Sequence, residues 1–467
     1  MASIKDFGPR LDLMLSELAS RRKRANLNGL YLDGCAPIPD AVKHAGLTKS
    51  YGLLMPMSNA PWAGLIVDSK QDRLEVGGIR TGDRRLDELL WRRVWQANGM
   101  DAESKLAHQG VLTNGRVVAF VWPDRQGEPE IVIDGADQAI VLYEEGRHRA
   151  RHRVAALREW TDGDKTYCNL YQADGLYKFV EAGEQRDTDR AVMAAGKWWE
   201  QREVDDEAWP VPNEAAVVPG VEILTNRRLA AGPFPYARGE FEHCHGLLDR
   251  INLLTFLGLV VAVWMGFPLR GVIGDKILRT DDGEPIAPFD MKPNEVAQLE
   301  DPEAKTFEFK AADRKNLSIF DELAQLAYVC KTPPYYLPMS GGLSNISADA
   351  IRALEGAMHA QVDGIHKPFI GEGEEEVVRV AGLMLPEPVT VPQEAEIEWV
   401  DKQSRSLAER ADAAVKLFGA LPDNPGWVEM VAQKYLALTQ EEIGRVRANT
   451  AFDALLSAAQ EPVAVAG

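Results

Sequence analysis

Apolar residues recur at three- and four-residue spacing in many parts of the chain, and this period is typical of helices packed against a core. The helices predicted in this way cover residues 11–24, 84–98, 104–113, 241–267, 318–331, 347–384, 404–418, 427–438 and 440–459. Pro268 and Pro333 follow two of them, where proline cannot continue a helix. We expect a disturbance at Pro368 and Gly371 inside the helix from Ser347.

The pattern changes to short apolar or alternating runs between residues 117 and 180. Turn sequences at 124–127 and 162–164 separate these runs, which predicts a small antiparallel sheet. Further short strands are predicted within 62–79, which also holds a helix, at 305–309 and from Ile397. The acidic stretch 181–213 is interpreted as a loop-rich insertion in the sheet, and residues 26–34 as a turn. Together these elements predict an α+β fold.

Composition narrows the class of protein. The 467 residues suffice for about three domains and a sizeable core. The formal net charge of −19 excludes a broad basic surface that coats nucleic acid. The four cysteines are Cys35, Cys168, Cys244 and Cys330, and no CxxC pair occurs, so neither a disulfide framework nor a zinc ribbon is indicated. A reducing compartment is expected, and residues 1–10 carry charges where a signal peptide would be apolar.

Two basic clusters stand out against the acidic background. Arg21, Arg22, Lys23 and Arg24 lie near the predicted end of the first helix, where the helix dipole favours cations, and contact with nucleic acid is the alternative. Four arginines in a second cluster share one parity and would form a single stripe on an extended segment: Arg147, Arg149, Arg151 and Arg153. A solvated sheet face is the favoured interpretation of that stripe.

A stretch without charged residues runs from Ile251 to Leu269, about the length that crosses a bilayer as a helix. Its flanks show no clear charge asymmetry, and Asn252 and Pro268 interrupt its apolar character. Two interpretations remain open. The first is a membrane-associated protein anchored through 251–269, and the second is a helix that neighbouring subunits cover in an oligomer.

Candidate catalytic and metal-binding patterns fail on spacing. No phosphate-binding loop or GxSxG elbow occurs. His243, Cys244 and His245 are adjacent, so they could not all face one ion, and His359 and His366 lack a carboxylate partner in sequence. The acidic runs 205–206, 281–282 and 374–376 are interpreted as solvated, which leaves a hydrolase using Asp281 and Asp282 as a remote alternative. We expect no enzyme, no cofactor and no metal.

The order of elements is more informative than any single motif. Two helices flank a proline-rich excursion, and a Gly/Ser loop then leads into a third long helix. The local sequences that carry a resemblance are NGLYLDG at 28–34, LW at 90–91 with WQANG at 95–99, residues 108–115, VWPD at 121–124, ALREW at 156–160, and residues 247–252, 332–334 and 344–350. In this order the chain resembles the portal proteins of tailed bacteriophages, the head-tail connectors, of the siphophage type found in actinobacteriophages.

The resemblance implies a portal-protein fold with an α/β wing, a helical stem, a small clip, a tunnel loop and an α-helical crown. By analogy, the segments are 1–240 (N-terminal part of the wing), 241–267 (stem helix), 268–317 (clip), 318–338 (stem helix), 339–347 (tunnel loop), 348–403 (long helix and return to the wing) and 404–467 (crown). The stem helix is more apolar here than is general in the family, which favours placing 251–269 against neighbouring subunits.

The resemblance also implies a function. We expect a homo-oligomeric ring, usually dodecameric, at one capsid vertex of the virion, assembled in the host cytoplasm and without a membrane. Double-stranded DNA would pass through it non-specifically during packaging and ejection. The expected partners are the major capsid protein, the terminase large subunit and the head-tail adaptor.

Two sets of residues would lie nearest the DNA. The uncharged loop comprises Ser340, Gly341, Gly342, Leu343, Ser344, Asn345 and Ile346. Lys276, Arg279 and Lys331 are the candidates for transient phosphate contacts, with intersubunit salt bridges as the alternative.

Overall fold

The computed structural model describes residues 4–37, 51–183, 190–204, 207–266, 270–273, 305–308, 319–337, 348–400, 407–419, 424–436, 438 and 442–443. Its α-helices are α1 (Gly8–Leu32), α2 (Met55–Ser58), α3 (Trp62–Gln71), α4 (Arg84–Leu90), α5 (Met100–Asn114), α6 (His245–Gly266), α7 (Phe320–Val329), α8 (Ala348–Gln361), α9 (Lys367–Leu383), α10 (Leu407–Phe418) and α11 (Pro425–Leu436). The mixed α+β class is confirmed.

The strands form four antiparallel sheets within the described residues. They are β1 (Val76–Arg80), β2 (Arg116–Pro123), β3 (Pro129–Gly135), β4 (Ala139–Tyr143), β5 (Arg153–Asp162), β6 (Lys165–Tyr171), β7 (Gly175–Glu181), β8 (Ala191–Ala194), β9 (Lys197–Gln201), β10 (Val211–Pro212), β11 (Gly220–Leu224), β12 (Arg270–Ile273), β13 (Lys305–Glu308) and β14 (Glu396–Trp399). The largest sheet has the order β4-β5-β6-β7-β9-β8, with β10 on β7. The others are β11-β2-β3, β1-β14 and β12-β13.

The two largest hydrophobic cores organise these layers. In the first, the apolar stripe of α1, with Leu11, Met14 and Leu18, packs on the largest sheet around Phe179 and Trp199. The second and larger core lies between α3, α5, the three-stranded sheet, α6, α7 and α9. Gly373 lets α9 lie close on that sheet, because a Cβ there would be 2.9 Å from the Cα of Ile223. The helix pair α6 and α7 is therefore rooted in the larger core.

One continuous helical stretch contains a local defect near the predicted position. Helices α8 and α9 are joined by a π turn, Val362–His366, directly before Lys367 and Pro368. Proline removes a backbone N–H and its ring clashes with the carbonyl of the residue four positions earlier, which is Gly364. A wider turn at this place relieves that clash, and it buries His366 completely.

Three predictions of local structure are wrong. Helix α1 continues to Leu32, so 26–34 is mostly helical and the cluster 21–24 does not lie at a helix end. Residues 147–152 do not form an extended stripe, because a bridge from Glu144 to Arg147 and a 3₁₀ turn at Ala150–His152 interrupt them. The stretch 181–213 contributes β8 and β9 to the largest sheet instead of forming loops alone. In each case the structure depends on backbone hydrogen bonds or buried contacts with distant residues, and the local sequence shows neither.

Gly115 provides a test of the core geometry. It ends α5 with φ +79°, and a Cβ there would lie 2.4 Å from the backbone nitrogen of Arg238. Gly127 has a similar φ of +83° but open space around it, so a substitution there causes backbone strain without a clash and serves as the control. We expect Gly115→Ala to lower the free energy of unfolding by more than about 3 kcal/mol, and Gly127→Ala by about 1 kcal/mol, in urea titrations. Equal losses would contradict the close approach.

Candidate functional site

The site is the root of the helix pair α6 and α7. Cys244 precedes α6 and faces Cys330 after α7, with their sulfur atoms 3.2 Å apart. Further along, Arg250 donates to Gln325 Oε1 at 2.8 Å. The pairing runs in opposite directions along the two helices, so they are antiparallel. With this pairing, Phe320 at the start of α7 lies beside about residue 254 of α6. From there α6 continues to Gly266, which is roughly 18 Å at 1.5 Å per residue.

A buried ion pair joins this root to the rest of the protein. Lys70 of α3 and Glu240 are 0% and 2% exposed, with 3.4 Å between Lys70 Nζ and Glu240 Oε2. Lys70 also donates to the carbonyl of Cys330 at 2.9 Å. One ammonium group therefore holds α3 to the segment before α6 and to the end of α7.

Neutral side chains complete the shell around the Glu240 carboxylate. Asn226 and Gln361 donate amide hydrogens to its two oxygens at 2.6 and 2.9 Å. The pKa of His366 is lowered to about 4, because burial disfavours the charged ring more than Glu240 favours it. Burial raises the pKa of Glu240, but His366, Lys70 and Asn226 outweigh it and the pKa is lowered. Since His366 is neutral at neutral pH, Lys70 supplies the compensating charge.

A second arrangement at the root consists of sulfur and imidazole groups. His243, Cys244 and Cys330 have one ligand atom each, all within 4.8 Å of one another. The sulfur atoms of Cys244 and Cys330 share a hydrogen bond in which either can be the donor. This contact lowers the pKa of Cys244 to about 5 and raises that of Cys330. His243 also lowers the pKa of Cys244. His245 is not part of the group, because it stacks on Tyr31 with ring centroids 4.3 Å apart.

Two other buried polar contacts, one of them between a glutamate and two arginines, brace the neighbouring layers. Glu222 of β11 accepts from Arg21 of α1 and Arg116 of β2, each at 3.0 Å. Burial, with Arg21 adding to it, lowers the pKa of Arg116 to about 10. His108 of α5 lies 2.8 Å from Glu374 of α9. The cluster at 21–24 thus includes a buried structural arginine rather than a uniformly exposed patch.

The remainder of α6 is only partly covered. Phe256 is buried against Met55, whereas Met265 is 60% exposed. By length and composition, Glu242–Val263 is a candidate membrane span, with a mean hydropathy of 1.8 and 28% burial in its apolar window of 18 residues. Its first turns are held by the body of the protein: Leu248 and Ile251 are buried in the larger core, and Asp249 accepts from Tyr31 at 2.6 Å. The apolar helix therefore begins inside the protein and continues with much of its surface uncovered.

The sequence-predicted site residues are mostly outside this description. Lys276, Arg279 and all seven loop residues from Ser340 to Ile346 lie outside the described residues. Lys331 is described: it is exposed with φ +52°, directly after Cys330, and it forms no ion pair with another described residue. Its charge contributes to the lowered pKa of His366. It is the only one of these candidates that the structure places, and it lies at the root of the helix pair.

Sequence reasoning missed the central residues of the root. Lys70, Glu240 and His366 are far apart in the chain, and no spacing rule brings them together. The interpretation of 374–376 as solvated is wrong for Glu374, which is 1% exposed. The prediction that His359 and His366 lack a carboxylate partner is also wrong, because Glu355 Oε2 lies 3.4 Å from the ring of His359 and Glu240 Oε1 lies 3.2 Å from that of His366. For the sulfur and imidazole group, the sequence signal was the adjacency of His243 and Cys244, which does not show that Cys330 lies beside them.

Comparison with known proteins gives this architecture a family. The family model described as "Phage portal protein, SPP1 Gp6-like" matches residues 57–427, which include the strands of all four sheets and the helix pair but not α1. The chain belongs to this portal protein family. The family is structural and non-enzymatic, and this portal protein is a component of the virion.

Portal proteins of two mycobacteriophages are similar along most of their length. That of Mycobacterium phage L5 is 28% identical over 434 residues, which cover 90% of this chain and 84% of the relative. That of Mycobacterium phage D29 is 27% identical over 423 residues, which cover 87% and 81%. A chain from the virion of a native gene transfer agent particle matches with a TM-score of 0.43 and 12% identity over 80% of this chain and 89% of that one. A chain from the neck of a native particle, computed with C12 symmetry, matches with a TM-score of 0.42 and 13% identity over 78% and 88%.

Removing the charge of Lys70 tests the root of this portal subunit. We expect Lys70→Met to lower the free energy of unfolding by about 3–5 kcal/mol, because it leaves Glu240 buried without its cation. Urea titration of the purified chain measures this. Lys416→Met is the matched control, since Lys416 and Asp412 pair with side chains 73% and 65% exposed and contribute below about 1 kcal/mol. A similar loss in both variants would contradict the role assigned to Lys70.

The lowered pKa of His366 gives the portal chain a pH dependence. Unfolded His366 binds a proton below about pH 6.5 and folded His366 only below about 4, so the unfolded state holds more protons between these values. Stability should fall as the pH drops through this window, by up to about 3 kcal/mol. His366→Asn removes this contribution, so its unfolding free energy should change less between pH 7 and 4.5 than that of the wild type. Parallel pH profiles would contradict the burial of a neutral imidazole.

Proposed function

We propose that this chain forms a closed ring at one vertex of the capsid, through whose axial tunnel double-stranded DNA passes during packaging and ejection. Membership of the portal family, together with the antiparallel pair α6 and α7 rooted in a mixed α+β body, carries the proposal. On this proposal residues 1–240 and 348–403 form the wing, 241–267 and 318–338 the stem, and 404–467 the crown. Twelve copies is the expected number for the family.

The surface of α6 supports a ring. Much of Glu242–Val263 is apolar yet uncovered in the single chain, and a heterologous contact in a ring buries apolar surface on both sides of every subunit. The buried ion pair of Lys70 and Glu240 holds the root of this helix in a fixed direction. A helix fixed in this way presents the same apolar surface in every copy, as a closed ring requires.

Charge supports a conduit rather than a binding site. Each phosphate that Lys or Arg neutralises adds salt-dependent affinity, and tight affinity would oppose sliding. The net charge of −19 is repeated in every subunit, and the loop 340–346 carries no charge. We propose that this loop lies nearest the DNA and that Lys276, Arg279 and Lys331 make transient phosphate contacts.

Docking roles follow from the same assignment. We propose that the clip, residues 268–317, contacts the terminase large subunit during packaging and the head-tail adaptor afterwards. The wing would contact the major capsid protein. These assignments rest on the family and on chain order, in which residues 268–317 connect the two antiparallel helices.

The membrane alternative has one observation in its favour, the apolar character of Glu242–Val263. However, Leu248 and Ile251 are 2% and 0% exposed within the larger core, so the first turns of α6 are not free to enter a bilayer. From residue 252 to Gly266 the described helix spans about 22 Å, shorter than the roughly 30 Å of a hydrocarbon core. The protein-covered interpretation is therefore favoured.

Electron microscopy of the purified chain tests the proposal, and rings with a central hole are expected. Met265→Asp on α6 should shift the population from rings to monomers in analytical ultracentrifugation, because it places a charge in the subunit contact. Leu106→Asp on α5 is the matched control, since both side chains are 60% exposed, and it should leave rings intact. A chain that stays monomeric under varied salt and concentration would contradict the ring, and retention in carbonate-washed membranes would favour the alternative.

A further inference from the structure

The sulfur and imidazole cluster at the root of α6 and α7 has no role in the conduit. We propose that His243, Cys244 and Cys330 form a binding site for a zinc-class transition-metal ion, which clamps the start of α6 to the end of α7. Within the described part of the chain, this is the group of three histidine, cysteine or acidic residues whose ligand atoms converge closely enough to hold an ion.

The donor atoms match this class of ion. Zinc is bound by cysteine sulfur at about 2.3 Å and histidine nitrogen at about 2.0–2.1 Å, usually in tetrahedral geometry. Ligand atoms of a tetrahedral site with these bond lengths are roughly 3.4–3.8 Å apart. The three donors here lie within 4.8 Å of one another, and the two sulfurs are 3.2 Å apart. Small side-chain rotations therefore suffice to seat an ion.

The backbone already holds both cysteines in place. The N–H of Cys244 donates to the carbonyl of Phe241 at 2.8 Å, and that of Cys330 to Leu326 at 3.0 Å. The carbonyl of Cys330 in turn accepts from the buried Lys70. Ligands fixed by surrounding hydrogen bonds need little reorganisation when an ion binds. The root is thus pre-organised on the side where the sulfurs meet.

The environment accommodates the charges of a loaded site. Both cysteines would bind as thiolates, with their thiol protons released to solvent, and two thiolates balance the charge of a divalent ion, so the loaded site is a neutral unit. His243 is exposed while both cysteines are buried, so the ion would have protein on one side and a fourth position open to water on the other. Oxidation to a disulfide is the competing fate of two adjacent thiols, and it would need an oxidant that a reducing compartment does not supply.

Metal analysis of the full chain, purified without a polyhistidine tag in a reducing buffer, tests the proposal. After incubation with zinc chloride and removal of excess ion, we expect about one zinc per chain by mass spectrometry. Cys244→Ser and Cys330→Ser should each lower the affinity at least tenfold, and His243→Asn should lower it less. Cys35→Ser and Cys168→Ser are the controls, because neither residue belongs to the cluster, and both should bind as the wild type does.

Cobalt provides a readout that needs no variant. Co²⁺ added to the wild-type chain should give thiolate-to-metal charge-transfer absorption and the intense visible bands of a tetrahedral site, and zinc should displace both. Absence of bound zinc at saturating concentration, equal binding by Cys244→Ser, or a Cys244–Cys330 disulfide in the reduced preparation would each overturn the proposal. The ring test is independent, since rings without zinc would refute only the metal site.

Discussion

The buried ammonium group of Lys70 is the contact on which the geometry of the chain depends most. It pairs with Glu240 and donates to the carbonyl of Cys330, so it joins α3 to both arms of the helix pair. A buried pair adds little net stability when intact, but the loss of either partner leaves an uncompensated charge in a low-dielectric interior. The interaction therefore acts mainly on specificity: it excludes other arrangements of α6 and α7 on the body of the protein.

The same principle recurs at the other junctions between layers. Glu222 with Arg21 and Arg116, and Glu374 with His108, each connect elements more than a hundred residues apart. Apolar packing fills the two cores, and these contacts penalise arrangements that separate the partners, because a buried polar or charged group would then lose its partner. In the proposed ring such a body is an advantage, because small errors in the direction of α6 would add up from one copy to the next.

Periodicity predicted the elements well where a helix or strand is long and has one apolar side. The helices over 241–267 and 347–384 and the short strand from Ile397 correspond to α6, to α8 with α9, and to β14. It failed where a distant partner decides the outcome. Arg21 resembles a helix-end cation until Glu222 is placed beside it, and Glu374 resembles a solvated carboxylate until His108 is. No local rule could supply Cys330 as the neighbour of Cys244, because 86 residues separate them.

The π turn at Val362–His366 sets the angular phase between the two halves of one long helix. Each residue of an α-helix advances the chain by about 100°, so one additional residue in a turn offsets everything before it by roughly that angle. Helix α8 directs Glu355 and Met358 inwards, where Glu355 meets Arg73 of the α3 side, while α9 directs Ile370 and Glu374 towards the three-stranded sheet and α5. A helix of uniform pitch could not satisfy both sets of contacts. The π turn next to Pro368 thus rotates the inward-facing side of α8 relative to that of α9, so one continuous helix can pack on two layers with different orientations.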